Sequence, residues 1–391
     1  MYADLSPEPT QPFDEAAMRA VDRALAALRR GEAVAVACAD GRVALALAVE
    51  TVGADALARL KRLSGGEPVL AVTRRRALVL GVMPEGFQAG EGGAVTLAVA
   101  GGLTAGDAVA LADAEQRPDG PLPAGLSATP AEPGSREAAA VDLAKLARLI
   151  PSAVVAPVRS TPDLMRRGGL EAWAKRNDLL WVRAADVADY RTHVVRTLRQ
   201  VADAQVPLVG GAENTRVVAF RPADGGPEYL AIIIGDPDPE QPVLARLHSE
   251  CFTGDLLGSL RCDCGDQLRG AIAEIARRGS GVLLYLAQEG RGIGLVNKLR
   301  AYRIQDRGFD TVDANEILGF ESDERVYLPA AEMLRQLGFR SVRLMTNNPD
   351  KMRQLARWGI EVVERVPHVF PSNRHNEAYL RTKAERSGHM F

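Results

Sequence analysis

The chain has 391 residues, more than one compact core accommodates, so two domains of ordinary size are expected. Apolar residues make up 47% and charged residues 25% of the chain, ordinary globular values that exclude a disordered or coiled-coil protein. The 48 Lys and Arg residues balance 50 Asp and Glu residues, and the formal net charge of -2 excludes a general basic surface for binding nucleic acid.

The start of the chain and its cysteines indicate the compartment. No apolar stretch approaches the roughly 20 residues that span a bilayer, and Met1 to Asp14 lacks the basic and apolar segments of a signal peptide. We therefore expect a cytoplasmic protein without a membrane partner. Cys38 stands alone, whereas Cys251, Cys262 and Cys264 lie close together, and in a reducing compartment such clustering favours metal ligation over a disulfide.

The first half of the chain, from Glu15 to about Val206, is rich in Ala, Val and Leu. Its pattern predicts helices over Ala16 to Arg30 and Ala54 to Leu63, alternating with short apolar runs such as Ala33 to Cys38. This alternation is typical of an α/β domain.

Two polar stretches interrupt this pattern. The Pro- and Gly-rich stretch Gln116 to Ser135 predicts an exposed loop, after which a helix begins at Arg136. A second polar segment, Arg183 to Arg199, precedes a change toward dense polar motifs, so we place the domain boundary near Thr192. The predicted domains are 1–192 and 193–391.

The second half again mixes helices with strands. Its patterns predict strands at Gly281 to Ala287, Ser341 to Met345 and Ile360 to Val366, and helices at Leu295 to Arg307, Ala330 to Leu337 and Asp350 to Trp358. The predicted fold class is therefore α/β (α+β), with two mixed α/β domains.

The three clustered cysteines have the spacing C-x10-C-x-C. Three soft thiolates without a fourth cysteine match the catalytic zinc arrangement, in which water takes the fourth position and its pKa falls toward about 7. The alternatives are a structural zinc site closed by His248, or simply buried thiols.

Two further segments favour an anion. Gly290, Gly292 and Gly294 lie between a predicted strand and a predicted helix, where small residues let backbone N–H groups approach phosphate oxygens, although a plain turn explains the same glycines. Thr346 to Pro349 occupies a similar junction, with Lys351 in the first turn of the following helix.

The residues around these features closely resemble one family. R-L-H-S-E-C-F-T-G-D and S-L-R-C-D-C-G-D-Q-L are similar to the zinc and GTP signature of GTP cyclohydrolase II, and Q-E-G-R-G-I-G-L, K-L-R-A-Y, D-T-V-D-A-N, S-D-E-R and T-N-N-P extend the match. The resemblance runs from about Leu198 to Phe391, and it implies specific roles for named residues.

By this resemblance, Cys251, Cys262 and Cys264 hold zinc. Asp323 is the general base, Arg325 the nucleophile and Tyr302 a neighbour of the chemistry, although composition alone would make S-D-E-R a solvated charge run. Glu289 is a candidate for reading the guanine edge. The GTP contacts implied are Arg246, Leu247, His248, Ser249, Glu250, Gln267, Glu289, Gly290, Arg291, Thr311, Thr346 and Lys351.

The activity implied is hydrolysis of GTP to formate, pyrophosphate and 2,5-diamino-6-hydroxy-4-(5-phosphoribosylamino)pyrimidine, the first step of riboflavin biosynthesis. The family resemblance also implies one Zn²⁺ per subunit, Mg²⁺ with the triphosphate, and a homodimer. Two alternatives remain open: a related enzyme recruited to another pathway such as pyrimidine catabolism, and a non-catalytic GTP-sensing zinc protein.

The first half is similar, over Ala24 to Ala37 and Arg136 to Leu149, to 3,4-dihydroxy-2-butanone 4-phosphate synthase. Where that family carries a dense acidic metal-binding motif, this chain reads A-C-A-D-G-R-V-A-L-A-L-A and keeps only Asp40. The segment R-E-A-A-A-V-D-L also lacks the expected histidine. A divalent metal needs several oxygen ligands, so we expect a non-catalytic domain that serves stability, dimerisation or regulation.

Overall fold

The computed structural model describes residues 14–83, 93–115, 121–371 and 386. Among these residues, no helix combines the length and the apolar character that crossing a membrane requires. Two seven-stranded sheets, each covered by helices, organise the described part of the chain. The predicted fold class of two mixed α/β domains is confirmed.

The first sheet contains β1 to β7 in the order β5-β4-β3-β6-β2-β1-β7, and only its β1–β7 pair is parallel among the described strands. The strands are β1 Val34–Ala37, β2 Val43–Ala48, β3 Val69–Thr73, β4 Ala94–Val99, β5 Leu126–Ala131, β6 Ser152–Pro157 and β7 Leu180–Arg183. The helices are α1 Glu15–Arg29, α2 Ala54–Ser64, α3 Arg74–Leu80, α4 Ala105–Ala112, α5 Arg136–Leu146, α6 Pro162–Met165, α7 Gly169–Arg176 and α8 Ala184–Arg196.

The second sheet has the order β14-β13-β11-β12-β10-β9-β8. Its strands are β8 Arg199–Gln205, β9 Thr215–Arg221, β10 Tyr229–Ile234, β11 Val243–Ser249, β12 Gly281–Leu286, β13 Ser341–Met345 and β14 Glu361–Val366. Its helices are α9 Cys264–Arg277, α10 Leu295–Gln305, α11 Thr311–Ile317, α12 Leu328–Gln336 and α13 Pro349–Arg357. Four neighbouring strands, β14, β13, β11 and β12, run parallel, whereas β10, β9 and β8 continue the sheet antiparallel.

Each sheet buries apolar side chains on both faces. In the first sheet the alternation along β2 sends Ala44 and Ala46 to one core and Leu45 and Leu47 to the other. In the second sheet, Leu284 and Leu283 of β12 divide in the same way. Such two-sided burial explains why the strand sequences are nearly continuous apolar runs.

Helix α8 connects the two halves. Tyr190 packs into the core of the first sheet, and Val195, one turn later, packs into the core of the second. The polar segment Arg183 to Arg199, for which no helix was predicted, therefore contains a helix that contributes to both cores. The boundary near Thr192 lies inside this helix and stays a prediction.

The sequence prediction was wrong for part of the stretch Gln116 to Ser135. Residues 116–120 lie outside the described part of the chain, but Leu126–Ala131 forms the edge strand β5, which pairs antiparallel with β4. An edge strand tolerates the polar and Pro-containing sequence L-S-A-T-P-A because one side of its backbone makes no ladder hydrogen bonds.

Candidate active site

The candidate site lies at the carboxyl ends of the parallel strands of the second sheet. Strand β11 ends at Ser249, β12 at Leu286 and β13 at Met345, and the three loops that follow face one cleft. Side chains that follow parallel strands meet at this edge of the sheet, where ligands of α/β folds commonly bind. The topology thus brings together segments that are about a hundred residues apart in sequence.

Three thiols form a cluster in this cleft. Cys251 follows β11, whereas Cys262 and Cys264 lead into α9, and their Sγ atoms all lie within 4.8 Å of one another. The Sγ atoms of Cys251 and Cys262 are 3.7 Å apart. A tetrahedral zinc with bonds of about 2.3 Å requires sulfurs about 3.8 Å apart, so the geometry of the thiols fits that metal.

Gly254 makes room for the cluster. A Cβ atom at this position would lie 2.8 Å from the Cys262 Sγ, 3.1 Å from the Cys251 Sγ and 3.0 Å from the Cys264 Cβ. Atoms of real side chains do not approach so closely, because the repulsion rises steeply below van der Waals contact. The T-G-D portion of the motif therefore needs glycine for a steric reason.

Asp255 holds the loop that carries Cys251. Its carboxylate accepts hydrogen bonds from the Cys251 backbone N–H at 2.9 Å and from the Tyr285 hydroxyl at 3.0 Å, and it contacts the His248 Nε2 at 3.0 Å. His248 is thereby engaged with Asp255, and it is not among the groups of the described chain that could share a metal with the thiols. The alternative of a structural zinc site closed by His248 does not agree with this geometry.

Lys298 and Glu289 surround the cluster from the other side. The Lys298 ammonium lies 3.1 Å from the Cys251 Sγ and 2.8 Å from the Glu289 carboxylate. Glu289 also accepts from the backbone N–H groups of Phe252 at 2.7 Å and Gly290 at 2.6 Å. Burial disfavours the ammonium, but Cys251 and Glu289 outweigh this effect and raise the pKa of Lys298.

These contacts bear on the proposed role of Glu289 in reading guanine. The residue is 4% exposed, and both carboxylate oxygens already accept hydrogen bonds from donors of the chain itself. Direct recognition of the guanine edge would require Glu289 to exchange these donors. The structure instead favours a role in holding Lys298 and the Phe252 backbone beside the cysteines.

The cleft has a strongly cationic lining. Three carboxylates face it, those of Glu250, Glu289 and Asp323. The cationic side chains are twice as many: Arg246, Arg261, Arg291, Lys298, Arg325 and Lys351. An excess of cations in a cleft is electrostatically suited to a polyanionic ligand such as a triphosphate.

Arg246, in β11, is the most deeply placed of these cations. Its guanidinium donates to the Met345 carbonyl at 2.9 Å and to the Gln267 side chain, and its Nε is buried without a partner among the described residues. Burial lowers the pKa of Arg246 to about 10, and the group remains protonated at neutral pH. A buried guanidinium with an unused donor is chemically suited to contact a phosphate.

The glycine-rich turn after β12 has an unusual backbone. Gly290 and Arg291 both adopt left-handed conformations, with φ of 63° and 60°. For a non-glycine residue this conformation is uncommon and costs energy, so it marks a position that the surroundings enforce. A Cβ on Gly292 would lie 3.0 Å from the Glu324 carbonyl oxygen, so this turn and the S-D-E-R segment pack closely together.

Asp323 and Arg325 form an ion pair at the mouth of the cleft. The Arg325 Nε donates to the Asp323 carboxylate at 2.8 Å. Desolvation opposes ionisation of Asp323, but Arg325 and Arg291 outweigh it and hold the pKa of that carboxyl below its usual value. The carboxylate is therefore ionised at neutral pH and forms a charged pair with Arg325.

Tyr302, on α10, also lines the cleft. The Arg261 guanidinium stands 4.9 Å from the centre of its ring, and its hydroxyl is 3.4 Å from the Thr253 hydroxyl. Burial raises the pKa of Tyr302, so the phenol is neutral at physiological pH.

The cleft brings together every predicted site residue except Leu247. Leu247 is buried within β11, and its carbonyl accepts a hydrogen bond from the Lys351 ammonium at 2.8 Å. Thr311, at the start of α11, and Thr346, after β13, both reach the cleft as predicted. Their roles in GTP binding stay predictions.

Sequence reasoning left Lys298 out of the site. The residue stands four positions before Tyr302 on the same helix, so both side chains lie on one face, and this spacing was the signal available in K-L-R-A-Y. Arg261 and Asn347 also line the cleft and were not predicted to bind. The histidines outside the motifs were expected to be structural or solvent-facing rather than ligands. His368 is buried and donates to the Gln267 carbonyl at 2.8 Å, whereas His375 and His389 lie outside the described residues.

Comparison with known proteins supplies relatives over the whole chain. A family model described as GTP cyclohydrolase II matches residues 199–367. A GTP cyclohydrolase-2 of Azospirillum brasilense is 71% identical over 396 residues, which cover 100% of both proteins. The riboflavin biosynthesis protein RibBA of Synechocystis sp. is 46% identical over 256 residues, 65% of this chain and 46% of that protein.

Solved structures are similar at a much lower level. RibBX of A. baumannii, a two-domain 3,4-dihydroxy-2-butanone 4-phosphate synthase, is 20% identical with a TM-score of 0.39, covering 88% of this chain and 99% of that one. A cation-free 3,4-dihydroxy-2-butanone 4-phosphate synthase is 22% identical with a TM-score of 0.35, covering 46% of this chain and 98% of that one.

Proposed function

The chain belongs to the GTP cyclohydrolase II family of enzymes, and on this premise we propose that it hydrolyses GTP to formate, pyrophosphate and 2,5-diamino-6-hydroxy-4-(5-phosphoribosylamino)pyrimidine as the first step of riboflavin biosynthesis. The observation that carries the proposal is a single cleft that contains three thiols at metal-binding distance and is lined by six cationic side chains.

The metal proposed for the thiols is zinc. The donor set supports it, because three cysteine sulfurs suit a soft divalent ion and the separation of 3.7 Å between two of them agrees with tetrahedral coordination. Bound zinc would supply a Lewis acid that activates water for opening the imidazole ring of the base. Asp255, Lys298 and Glu289 would hold the loop around the metal in its reactive arrangement.

The cationic side chains that line the cleft would bind the triphosphate. Arg246, Arg291 and Lys351 approach the cleft from β11, from the glycine-rich turn and from the start of α13. Their positive charges, with the N-terminus of α13, support binding of phosphate oxygens. We propose that Mg²⁺ enters with the triphosphate and neutralises the negative charge of the phosphates that these side chains do not neutralise.

Asp323 and Arg325 would act at the α-phosphate. In this proposal an Arg325 nitrogen forms a bond to phosphorus, the bond from phosphorus to the pyrophosphate oxygen breaks, and the proton released by the guanidinium passes to Asp323. The contact of 2.8 Å between the two side chains supports this transfer. A free guanidinium is a poor nucleophile, so the role depends on Asp323 remaining ionised.

We propose that the first domain contributes no second reaction. Asp40, the acidic residue kept from the synthase motif, is exposed. Its carboxylate accepts hydrogen bonds from the backbone N–H and from the guanidinium of Arg42. These contacts lower the pKa of Asp40 and leave it with a cation as its neighbour, which does not suit a ligand for a divalent metal. Formation of the butanone phosphate from ribulose 5-phosphate would contradict this assignment. The homodimer stays a prediction, which light scattering after size-exclusion chromatography tests.

The experiment that tests the proposed function follows formate and pyrophosphate together. Zinc-loaded protein is incubated with GTP and Mg²⁺ beside a Cys262→Ser variant, which removes one proposed zinc ligand, and a Cys38→Ser variant, which removes the thiol of the first domain. We expect both products from the wild type and from Cys38→Ser, and loss of formate in Cys262→Ser.

Two other results would contradict parts of the proposal. Pyrophosphate without formate in the wild type would contradict ring opening at the thiol cluster. Binding of GTP with neither product would favour a GTP-sensing protein, and turnover of a free pyrimidine in place of GTP would favour an enzyme of pyrimidine catabolism.

A further inference from the structure

The first domain holds the segment 316–324, which leads into the ion pair of Asp323 and Arg325. The Thr73 hydroxyl donates to the Gly319 carbonyl at 2.6 Å, and the Arg76 guanidinium donates to the Ile317 carbonyl at 3.0 Å. Arg75 pairs with two carboxylates of the segment, Glu316 at 3.1 Å and Glu321 at 2.9 Å. Helix α3 and the end of β3 therefore bind both the backbone and the side chains of this segment.

Glu324, which stands between Asp323 and Arg325 in the sequence, makes a second contact with the first domain. Glu324 points away from the cleft, and its carboxylate accepts from the Lys145 ammonium at 2.6 Å. The side chains of Lys145 and Glu324 are only 7% and 3% exposed. Lys145 belongs to α5 of the first domain, so a buried ion pair between domains fixes the residue that separates Asp323 from Arg325.

Further hydrogen bonds connect the ion pair of Lys145 and Glu324 to the cleft. The Glu324 backbone N–H donates to the Arg291 carbonyl at 3.0 Å, and the Glu324 carboxylate also accepts from the Glu321 N–H at 3.2 Å. Arg291 in turn donates to the Ser322 carbonyl at 3.1 Å. The position of Glu324 thus bears both on the glycine-rich turn and on the orientation of its two neighbours.

The energetics favour a positioning role. A buried carboxylate that loses the cation bonded to it is less well compensated, which favours recruiting water or moving, because uncompensated charge in a protein interior is strongly unfavourable. Movement of Glu324 toward solvent would rotate the backbone on which Asp323 and Arg325 stand. Small displacements of reacting groups have large effects on rate, and about 1 Å of misplacement can cost about 100-fold.

We propose that Lys145 of the first domain is a positioning residue, which fixes Glu324 and thereby holds Asp323 and Arg325 in their reactive orientation. The inference rests on the proposed function for its kinetic consequence, but not for its structural one. It gives the synthase-like domain a specific task in the reaction of the second domain.

The test uses the full chain with three variants. Lys145→Met removes the cation, and Lys145→Met combined with Glu324→Gln removes both charges. Arg303→Met is the control, because it breaks a different interdomain ion pair, the contact of 3.0 Å with Glu115, in which the Arg303 side chain is 69% exposed. For each protein, kcat, KM for GTP, zinc content and amide hydrogen exchange are measured.

We expect Lys145→Met to lower kcat by about 10- to 100-fold, with KM for GTP and zinc content within about twofold of the wild type. Exchange of the amides in 316–326 should accelerate by about tenfold or more, while those of β13 keep their rates. The double variant should regain part of the lost kcat because no unpaired charge remains. Arg303→Met should match the wild type in every measurement.

Wild-type kcat in Lys145→Met would overturn the inference, and so would a rise in exchange spread evenly over both domains, which indicates a merely structural role. If the wild type releases neither formate nor pyrophosphate, the proposed function fails. Hydrogen exchange in 316–326 then still decides whether Lys145 holds this segment, and unchanged exchange in Lys145→Met overturns the inference.

Discussion

Substituting Gly254 by Ala tests whether the cysteine cluster is shaped for a metal. The added methyl would lie 2.8 Å from the Cys262 Sγ and 3.1 Å from the Cys251 Sγ, whereas such atoms normally stay about 3.5 to 4.0 Å apart. Relief requires the thiols to spread. Overpacking of this kind costs about 1 to 3 kcal/mol, and if that strain opposes metal binding it weakens the affinity for zinc by about 5- to 150-fold.

The assay is competition for zinc against a chromophoric chelator, with formate release measured on the same samples. Gly53→Ala is the control, since no atom lies within 4 Å of a Cβ at that position and its φ of -129° suits any residue. A Gly254→Ala protein that binds zinc as tightly as the wild type would refute the steric reasoning. Weakened binding in both variants would show that the effect does not come from the cluster.

Three further substitutions test other parts of the site. Glu289→Gln should lower kcat and zinc retention without changing the preference for GTP over ITP, because its carboxylate holds Lys298 and the Phe252 backbone; a lost preference would instead support direct recognition of guanine. Arg246→Lys should lower kcat/KM for GTP by about 10- to 100-fold, measured by initial rates, since Lys cannot replace a buried guanidinium that donates to two partners, and an unchanged value would remove Arg246 from the phosphate site. Burial lowers the pKa of His368 to about 4, so the folded state favours the neutral ring, and its stabilising effect is present above about pH 6.5 and is lost as the pH falls toward 4. Between pH 7 and pH 5, the free energy of unfolding should therefore fall by about 2 kcal/mol less in His368→Asn than in the wild type. Urea midpoints that fall by the same amount in both proteins over that range would contradict the assignment.

Three of the sequence motifs predicted the cleft well because each of them follows a strand. A chemical motif at the end of an apolar run has its position fixed by the sheet, so Cys251, Glu289 and Thr346 meet once β11, β12 and β13 are parallel neighbours. The bounds of β12 and β13 agree with the predicted ones to within one residue, whereas β11 was not predicted.

Features that depend on edges and surfaces could not be predicted in the same way. Strand β5 has the composition of a loop because its outer side has no partner strand, and helix α8 has polar residues because it runs along the junction of both cores. Local sequence does not distinguish such elements from loops, since it is the partners elsewhere in the chain that stabilise them.

The orientation of Glu289 is a second case. A carboxylate in a glycine-rich turn is usually exposed, and the family resemblance suggested a contact with the base. Its burial follows from Lys298, which approaches from a different helix, and from the Phe252 backbone in a different loop. No pattern within Q-E-G-R reveals these donors.

The same reasoning explains why the role of Lys145 is invisible in sequence and why a synthase-like domain without its motif persists. A single lysine in the Ala-rich helix α5 gives no sign that it is buried, because its partner Glu324 stands 179 positions away. Without the first domain, the carbonyls of Ile317 and Gly319 and the Glu324 carboxylate would meet water, which satisfies them without fixing their positions. In our proposal, the segment that carries Asp323 and Arg325 would then lose its order, which gives the first domain a role in the reaction of the second.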